Sequence, residues 1–419
     1  MASHPSSTDS TFGHLSPWGK ISLFLRLPLL LLYIPYLFTT SLASTPNLHW
    51  KQHLLVSFLR AVNTVFTTAQ SRFVDRQQLT GPAIEAYCTS NKIPYRKVTL
   101  PLDFNDDSPG VRDAVNGPRV GIDDIPPPSL YFLQPKAVAT ENGPTILYAH
   151  GGAFSKPIVA GAQIPFVLRC AEACRAKQVV LLEYSLSPEW GYPAQHVQIV
   201  GAFRYLLEKE EGVKVGDVIV AGDSVGSQMV AGLLAHLVRP SPYAPAVKMG
   251  QEGERVRAAV FISPYAVLGT GDKSYERNKE RDFFSREAAE ELVQLWRPRK
   301  GEVWAGITDG KGGREVWGEV FPGGEGGKGR DKGVVKRAIV TVGTGEVMLD
   351  GIRRFAKEVV KAQTVVIDGD KTEVGLVGHM NRVLVESVGE AHVQANLDMM
   401  LGYEGGSSMR ALLAFLESV

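Results

Sequence analysis

The chain is 419 residues long and 44% hydrophobic, with 45 Lys and Arg against 44 Asp and Glu for a net charge of +1. That composition supplies a large core in one long domain and leaves no basic excess to hold nucleic acid. Three cysteines, Cys88, Cys170 and Cys174, make no disulfide framework. No Walker-type loop, zinc-ligand spacing or dinucleotide fingerprint stands out, so neither metal nor cofactor is expected.

After a tail of residues 1–20, residues 21–43 read ISLFLRLPLLLLYIPYLFTTSLA. About 20 apolar residues cross a bilayer, so the segment is long enough to be a transmembrane anchor. Arg26 lies near one end, where it can snorkel. Pro28 and Pro35 would kink the helix, which membrane helices tolerate. Ser41-Leu42-Ala43 resembles a cleavage site, so secretion after removal of a signal peptide is the alternative. The length of the apolar stretch favours an uncleaved single-pass anchor, expected in the endoplasmic reticulum. Lys20 and Arg26 on one side balance Lys51 and Arg60 on the other, so charge sets no orientation.

Between Asn47 and Cys88 the pattern is helical: Leu54, Leu55, Phe58, Leu59, Val62, Val65 and Phe66 recur at three- and four-residue spacing. Residues 104–128 read as a polar, Pro-rich connection to a strand at 129–133. A second strand at 145–149 leads into His150-Gly151-Gly152-Ala153-Phe154. Glycines after a strand let backbone N–H groups approach a carbonyl oxygen on which negative charge develops, and each such donor contributes about 3 kcal/mol.

The apolar run 218–221 then enters Gly222-Asp223-Ser224-Val225-Gly226, and a helical pattern follows over 228–237. G-x-S-x-G between strand and helix is a nucleophile elbow, in which the tight turn demands glycine two residues either side of the serine. Ser224 is the expected nucleophile. The amides of Gly151, Gly152 and Val225 are the expected oxyanion donors. A strand at 258–262 precedes Ser263-Pro264, and a helix is expected over 285–296. Residues 309–336 are glycine- and charge-rich and read as a mobile surface loop. Strands at 338–342 and 364–367 complete the pattern.

These motifs together resemble the hormone-sensitive-lipase-type branch of the α/β-hydrolases, which includes bacterial carboxylesterases and fungal steryl acetyl hydrolases. The resemblance rests on H-G-G-A-F and G-D-S-V-G. It rests also on Tyr184-Ser185-Leu186-Ser187-Pro188-Glu189 with Tyr192-Pro193-Ala194, on Ser263-Pro264, and on the spacing Ser274, Asn278, Asp282. It covers about residues 50–419. It implies an α/β fold with a mostly parallel central sheet, helices on both faces and a helical cap built from residues 47–100 and 264–336, within a domain running over 44–419.

The resemblance also implies the chain order serine, acid, histidine. The acid should follow the strand at 338–342, where this chain has Glu346 in place of the usual aspartate. Glutamate serves equally to orient and stabilise an imidazolium. Asp350 is the alternative acid. The base should lie in the loop after the last strand, which points to His379. His392 competes, but its surroundings read as a helix face.

The expected reaction is two-step acyl transfer on a small or medium acyl ester of a hydrophobic alcohol. Two alternatives use the same fold. One is a biosynthetic hydrolase acting on a polyketide-type intermediate, and the other is a non-catalytic ligand-binding protein.

Overall fold

A computed structural model describes residues 13–45, 47–101, 125–135, 142–250, 253–308, 310–323, 333–369 and 374–419. Most of the connection expected at 104–128 and the centre of the loop expected at 309–336 lie outside the described residues.

Among the described residues, nine strands form one sheet in the order β1-β2-β4-β3-β5-β6-β7-β9-β8. They are β1 (Tyr95–Thr99), β2 (Ser129–Leu133), β3 (Thr145–Ala149), β4 (Gln178–Glu183), β5 (Val218–Asp223), β6 (Val256–Ile262), β7 (Val335–Gly343), β8 (Gln363–Ile367) and β9 (Arg382–Ser387). β1 runs antiparallel to β2, and β2 antiparallel to β4. Every other pairing is parallel.

The central strands β2, β3 and β5 are buried along their whole length. That is why they read as unbroken apolar runs, as strands covered on both faces do. One face packs around Phe203, Leu233, Phe261 and Phe355. The other packs around Phe166, Ile219, Val260 and Phe415. Parallel strands put all their carboxyl ends on one side, and in open α/β sheets the ligand crevice lies there.

The apolar N-terminal segment forms helices α1 (Pro17–Arg26) and α2 (Leu30–Ser44), joined by a 3₁₀ turn over Leu27–Leu29 that contains Pro28. As a unit, Pro17–Ser44 is a candidate membrane span by length and hydropathy, and 6% of its most apolar window is buried. It is tied to α3 (Trp50–Val65) at two places. The Arg26 guanidinium donates to the Val65 carbonyl at 2.8 Å, and Ser41 Oγ meets His53 Nδ1 at 2.8 Å.

The helical reading of residues 47–88 resolves into α3, α4 (Thr68–Asp75) and α5 (Thr80–Ser90). Two boundaries are corrected. β1, which falls inside the cap range 47–100, is a sheet strand bound to β2. Part of the loop expected at 309–336 is a helix, Gly313–Val320, whose Val316, Trp317 and Val320 are buried. Its apolar residues recur at helical spacing, and the surrounding glycines obscure that pattern.

Candidate active site

β5 ends at Asp223, and the helix Val225–Val238 begins immediately after the turn, with Ser224 at its N-terminus. Ser224 has φ +53° and ψ −118°. A non-glycine residue there is strained, and such strain persists only when the surroundings over-determine it. Here the Ser224 amide donates to the Ile262 carbonyl at 2.8 Å, and the Tyr265 amide donates to the Ser224 carbonyl at 3.1 Å.

Both flanking glycines are obligatory. A Cβ on Gly222 would collide with the backbone of Gly226, and one on Gly226 would collide with the Ala149 carbonyl oxygen. The elbow is thus wedged against the end of β3.

Ser224 Oγ lies 3.0 Å from His392 Nε2, and His392 Nδ1 lies 3.0 Å from Glu346 Oε2. All three residues are buried. The other carboxylate oxygen of Glu346 accepts from Ser263 Oγ at 2.7 Å and from the Gly343 amide at 2.6 Å. Ser263 Oγ in turn accepts from the Val393 amide at 3.0 Å.

Burial by itself would lower the His392 pKa. The hydrogen bond and charge of Glu346, with the charges of Asp282 and Asp223, outweigh it and hold the imidazole above its ordinary value. A hydroxyl, an imidazole and a carboxylate in this chain can generate an alkoxide-like nucleophile and stabilise the imidazolium that forms.

The structure brings Ser224 and Glu346 together and leaves out His379, and the expectation of His379 as the base is corrected. His379 is exposed and caps the short helix Gly375–Gly378 ahead of β9. Ser224 and Glu346 follow parallel strands, β5 and β7, at their carboxyl ends, whereas His379 precedes a strand of the same direction. It therefore sits at the opposite end of the sheet. The strand at Gln363–Ile367 is not the last: β9 follows it, and His392 lies in the loop after β9. The run Arg382-Val383-Leu384-Val385-Glu386-Ser387 was the signal, an apolar β-branched stretch directly after His379. His392 does not lie on a helix face either, because the next helix starts at Gln394.

Asp350 is also apart from the imidazole. Its carboxylate accepts from the Ser274 amide and from Arg277, both at 2.9 Å.

The amide of Gly151 is engaged: it donates to Asp223 Oδ1 at 2.9 Å. The expectation of Gly151 as an oxyanion donor is corrected accordingly, and Gly152 and Val225 remain. Gly152 has φ +121°, a conformation that suits glycine. Asp223, the first of the two variable residues of G-x-S-x-G, carries no role that the sequence alone reveals. Its buried carboxylate also accepts from Tyr148 Oη and from Gln163 Nε2 at 3.0 Å, so it pins the His150-Gly151-Gly152 turn to the elbow. Burial raises its pKa, which these donors oppose.

His150 is buried, its pKa lowered to about 4 by burial. Its Nδ1 meets the Gly151 carbonyl at 2.6 Å and its ring stacks on Tyr184, with centroids 4.4 Å apart. It shapes the turn as a neutral imidazole.

Residues 146–368 match the α/β hydrolase fold family, and the chain belongs to it. The matched span takes in Ser224 and Glu346 and ends before His392. An acetyl-hydrolase of Streptomyces hygroscopicus is 34% identical over 145 residues, which are 34% of this chain and 43% of that protein. An esterase of Acinetobacter venetianus is 27% identical over 151 residues, 36% of this chain and 44% of its own length. The chain thus spans less than half the length of these curated relatives.

Among solved structures, an esterase from the bacterial hormone-sensitive lipase family aligns with a TM-score of 0.55 at 16% identity, over 88% of this chain and 98% of that one. Carboxyl esterase 2 of the mycorrhizal fungus Tuber melanosporum aligns with a TM-score of 0.53 at 16% identity, over 81% and 99%. At such identities the likeness is one of fold.

Proposed function

We propose that the protein is a serine hydrolase that cleaves carboxylic esters through an acyl-enzyme. The observation that carries this reading is the continuous chain Ser224 Oγ, His392, Glu346, with both links at 3.0 Å. His392 takes the proton of Ser224 as the hydroxyl attacks the ester carbonyl. The amides of Gly152 and Val225 hold the oxyanion, where pre-aimed donors have most effect. His392 then returns the proton to the departing alcohol and activates the water that releases the acid.

The substrate is an ester of small or medium acyl length on a hydrophobic alcohol. The exposed apolar helix Pro17–Ser44 supports this, because a cleft tethered to a bilayer meets lipophilic molecules first. That helix is proposed to remain uncleaved as a single-pass anchor. The membrane proposed for it is that of the endoplasmic reticulum, where segments of this kind are inserted.

Incubation with a fluorophosphonate and a panel of p-nitrophenyl esters tests the chemistry. Labelling at Ser224 with turnover of short acyl esters is expected, and no labelling would favour a ligand-binding protein. Carbonate extraction tests the anchor: the full chain should stay in the membrane pellet, and its release would mean peripheral attachment.

A further inference from the structure

Ser274, Asn278 and Asp282 recur at four-residue spacing in the segment that follows β6, and none of them reacts in the mechanism above. All three are buried. They face the loop after β7, residues 343–350, which carries Glu346. Ser274 Oγ donates to the Val347 carbonyl at 2.6 Å. Asn278 Nδ2 donates to the Thr344 carbonyl at 3.0 Å and to the Glu346 carbonyl at 2.6 Å. Asp282 does something the other two do not. Its Oδ2 accepts the Val347 amide at 2.9 Å, and its Oδ1 accepts the His392 amide at 3.2 Å and the Phe284 amide at 3.3 Å.

We propose that Asp282 is a positioning residue that clamps the acid loop and the histidine loop together and holds a second carboxylate charge near His392. This rests on the hydrolase reading above.

The geometry makes the case. Glu346 and His392 lie 46 residues apart on two loops, and they face each other across one hydrogen bond. Asp282 binds the backbone next to each: Val347 follows Glu346, and the second amide is that of His392 itself. Its third bond fixes the turn into Phe284, whose ring centroid stands 5.2 Å from that of His392. A misplacement near 1 Å at a reacting group costs about 10²-fold in rate, so a clamp of this kind is kinetically visible.

The charges around the imidazole are Glu346, Asp282 and Asp223, all carboxylates. Those felt by Asp282 are His392 and Glu346, with the Tyr275 phenol on the helix beside it. Burial pushes the Asp282 carboxyl up to about 6. Above that pH it is ionised, favours the imidazolium and raises the His392 pKa. Removing its charge must therefore lower the His392 pKa.

Asp282→Asn, Asp282→Glu and Asn278→Ala are compared with the unaltered full-length chain. Folding is followed by circular dichroism. Ester turnover is followed against pH, and His392 titration by NMR, its resonance assigned by loss in His392→Gln. Asp282→Asn should lower kcat about 10²-fold, and both the His392 midpoint and the acid limb of kcat/KM should move to lower pH. Asp282→Glu keeps the charge and should keep the midpoint. Asn278→Ala removes two carbonyl contacts and no charge, so kcat should fall about tenfold with the midpoint unmoved.

Wild-type kcat in Asp282→Asn, or a loss of kcat with an unmoved midpoint, overturns the proposal. If Asp282→Asn does not fold, full kcat in Asn278→Ala or a moved midpoint in Asp282→Glu overturns it. The NMR midpoint is read without turnover, so failure of ester hydrolysis counts against the hydrolase reading and leaves the clamp to its own test.

Discussion

The two halves of the site are built by different means. The elbow half is contiguous: β5, the turn and the helix Val225–Val238 lie within one short stretch, and glycine sterics and backbone hydrogen bonds fix Ser224. The acid–base half is assembled from three distant loops carrying Ser263, Glu346 and His392, held by the side chains of Ser263 and Asp282. The first half fails by steric collision and loss of fold. The second is expected to fail when the Ser224–His392–Glu346 hydrogen bonds are lost, before the fold is.

The largest effects come from the two residues through which the halves meet, Ser224 and His392. Ser224→Ala and His392→Ala should each lower kcat by about 10⁴-fold or more, and the double variant should be little worse, because the group acts as a unit. Steady-state kinetics with a p-nitrophenyl ester reads this, and additive losses would break the picture of one unit. Glu346→Gln should cost about 10⁴-fold with the fold intact. Asp350→Asn, which touches Ser274 and Arg277 and not the imidazole, should cost less than tenfold. A reversed ranking would place the acid at Asp350.

Gly226→Ala attacks the other half. Its Cβ would meet the backbone oxygen of Ala149, so β3 or the helix must shift. A loss of about 3 kcal/mol or more is expected in urea unfolding, at the upper end for a single substitution. Unchanged stability with normal turnover would show that the turn is looser than its contacts indicate.

What could be read in the sequence follows the same division. The elbow was legible because strand, glycines and helix sit side by side, and local sterics leave one reading. Glu346 was legible through its place after β7. His392 lies 168 residues from Ser224, so its place depended on knowing which strand came last in the chain. The sequence pattern makes β8 look like the last strand, but β9 follows it in the chain and lies between β7 and β8 in the sheet. Asp282 shows in the sequence only as one member of the Ser274, Asn278, Asp282 spacing, which does not say what its carboxylate holds, and Asp223 does not show at all, because a buried carboxylate that holds a backbone amide has no sequence period.

Acidity separates the halves more gently. General-base catalysis needs neutral His392, and Glu346, Asp282 and Asp223 hold its pKa above the ordinary value against burial. Activity should therefore fall as pH drops, with the acid limb of kcat/KM above the limb of an unperturbed histidine. Glu346→Gln should move that limb to lower pH. A limb below the ordinary histidine position in the wild type would mean that burial, not the carboxylates, dominates.

The smallest expected effect is at His379, and it is the one that decides between the two histidines. His379 is exposed, and it precedes β9 at the end of the sheet away from Ser224. Its neighbourhood is structural: the Arg337 guanidinium donates to the carbonyls of Gly378 and Met380 at 2.7 and 2.8 Å, contacts that pass through the backbone and not the imidazole. His379→Ala keeps that backbone and removes a solvated ring, and surface substitutions of this kind change stability by about 0.5 kcal/mol or less. kcat and KM should stay within about twofold of wild type, and the acid limb of the pH profile should not move, because the ring is in solvent at the end of the sheet away from His392 and any interaction between them is screened by water and salt. A loss of several orders of magnitude in His379→Ala, with His392→Ala still active, would reverse the assignment. The elbow would then have to be served by a histidine from the other end of the sheet, which no rearrangement short of unfolding β9 could deliver.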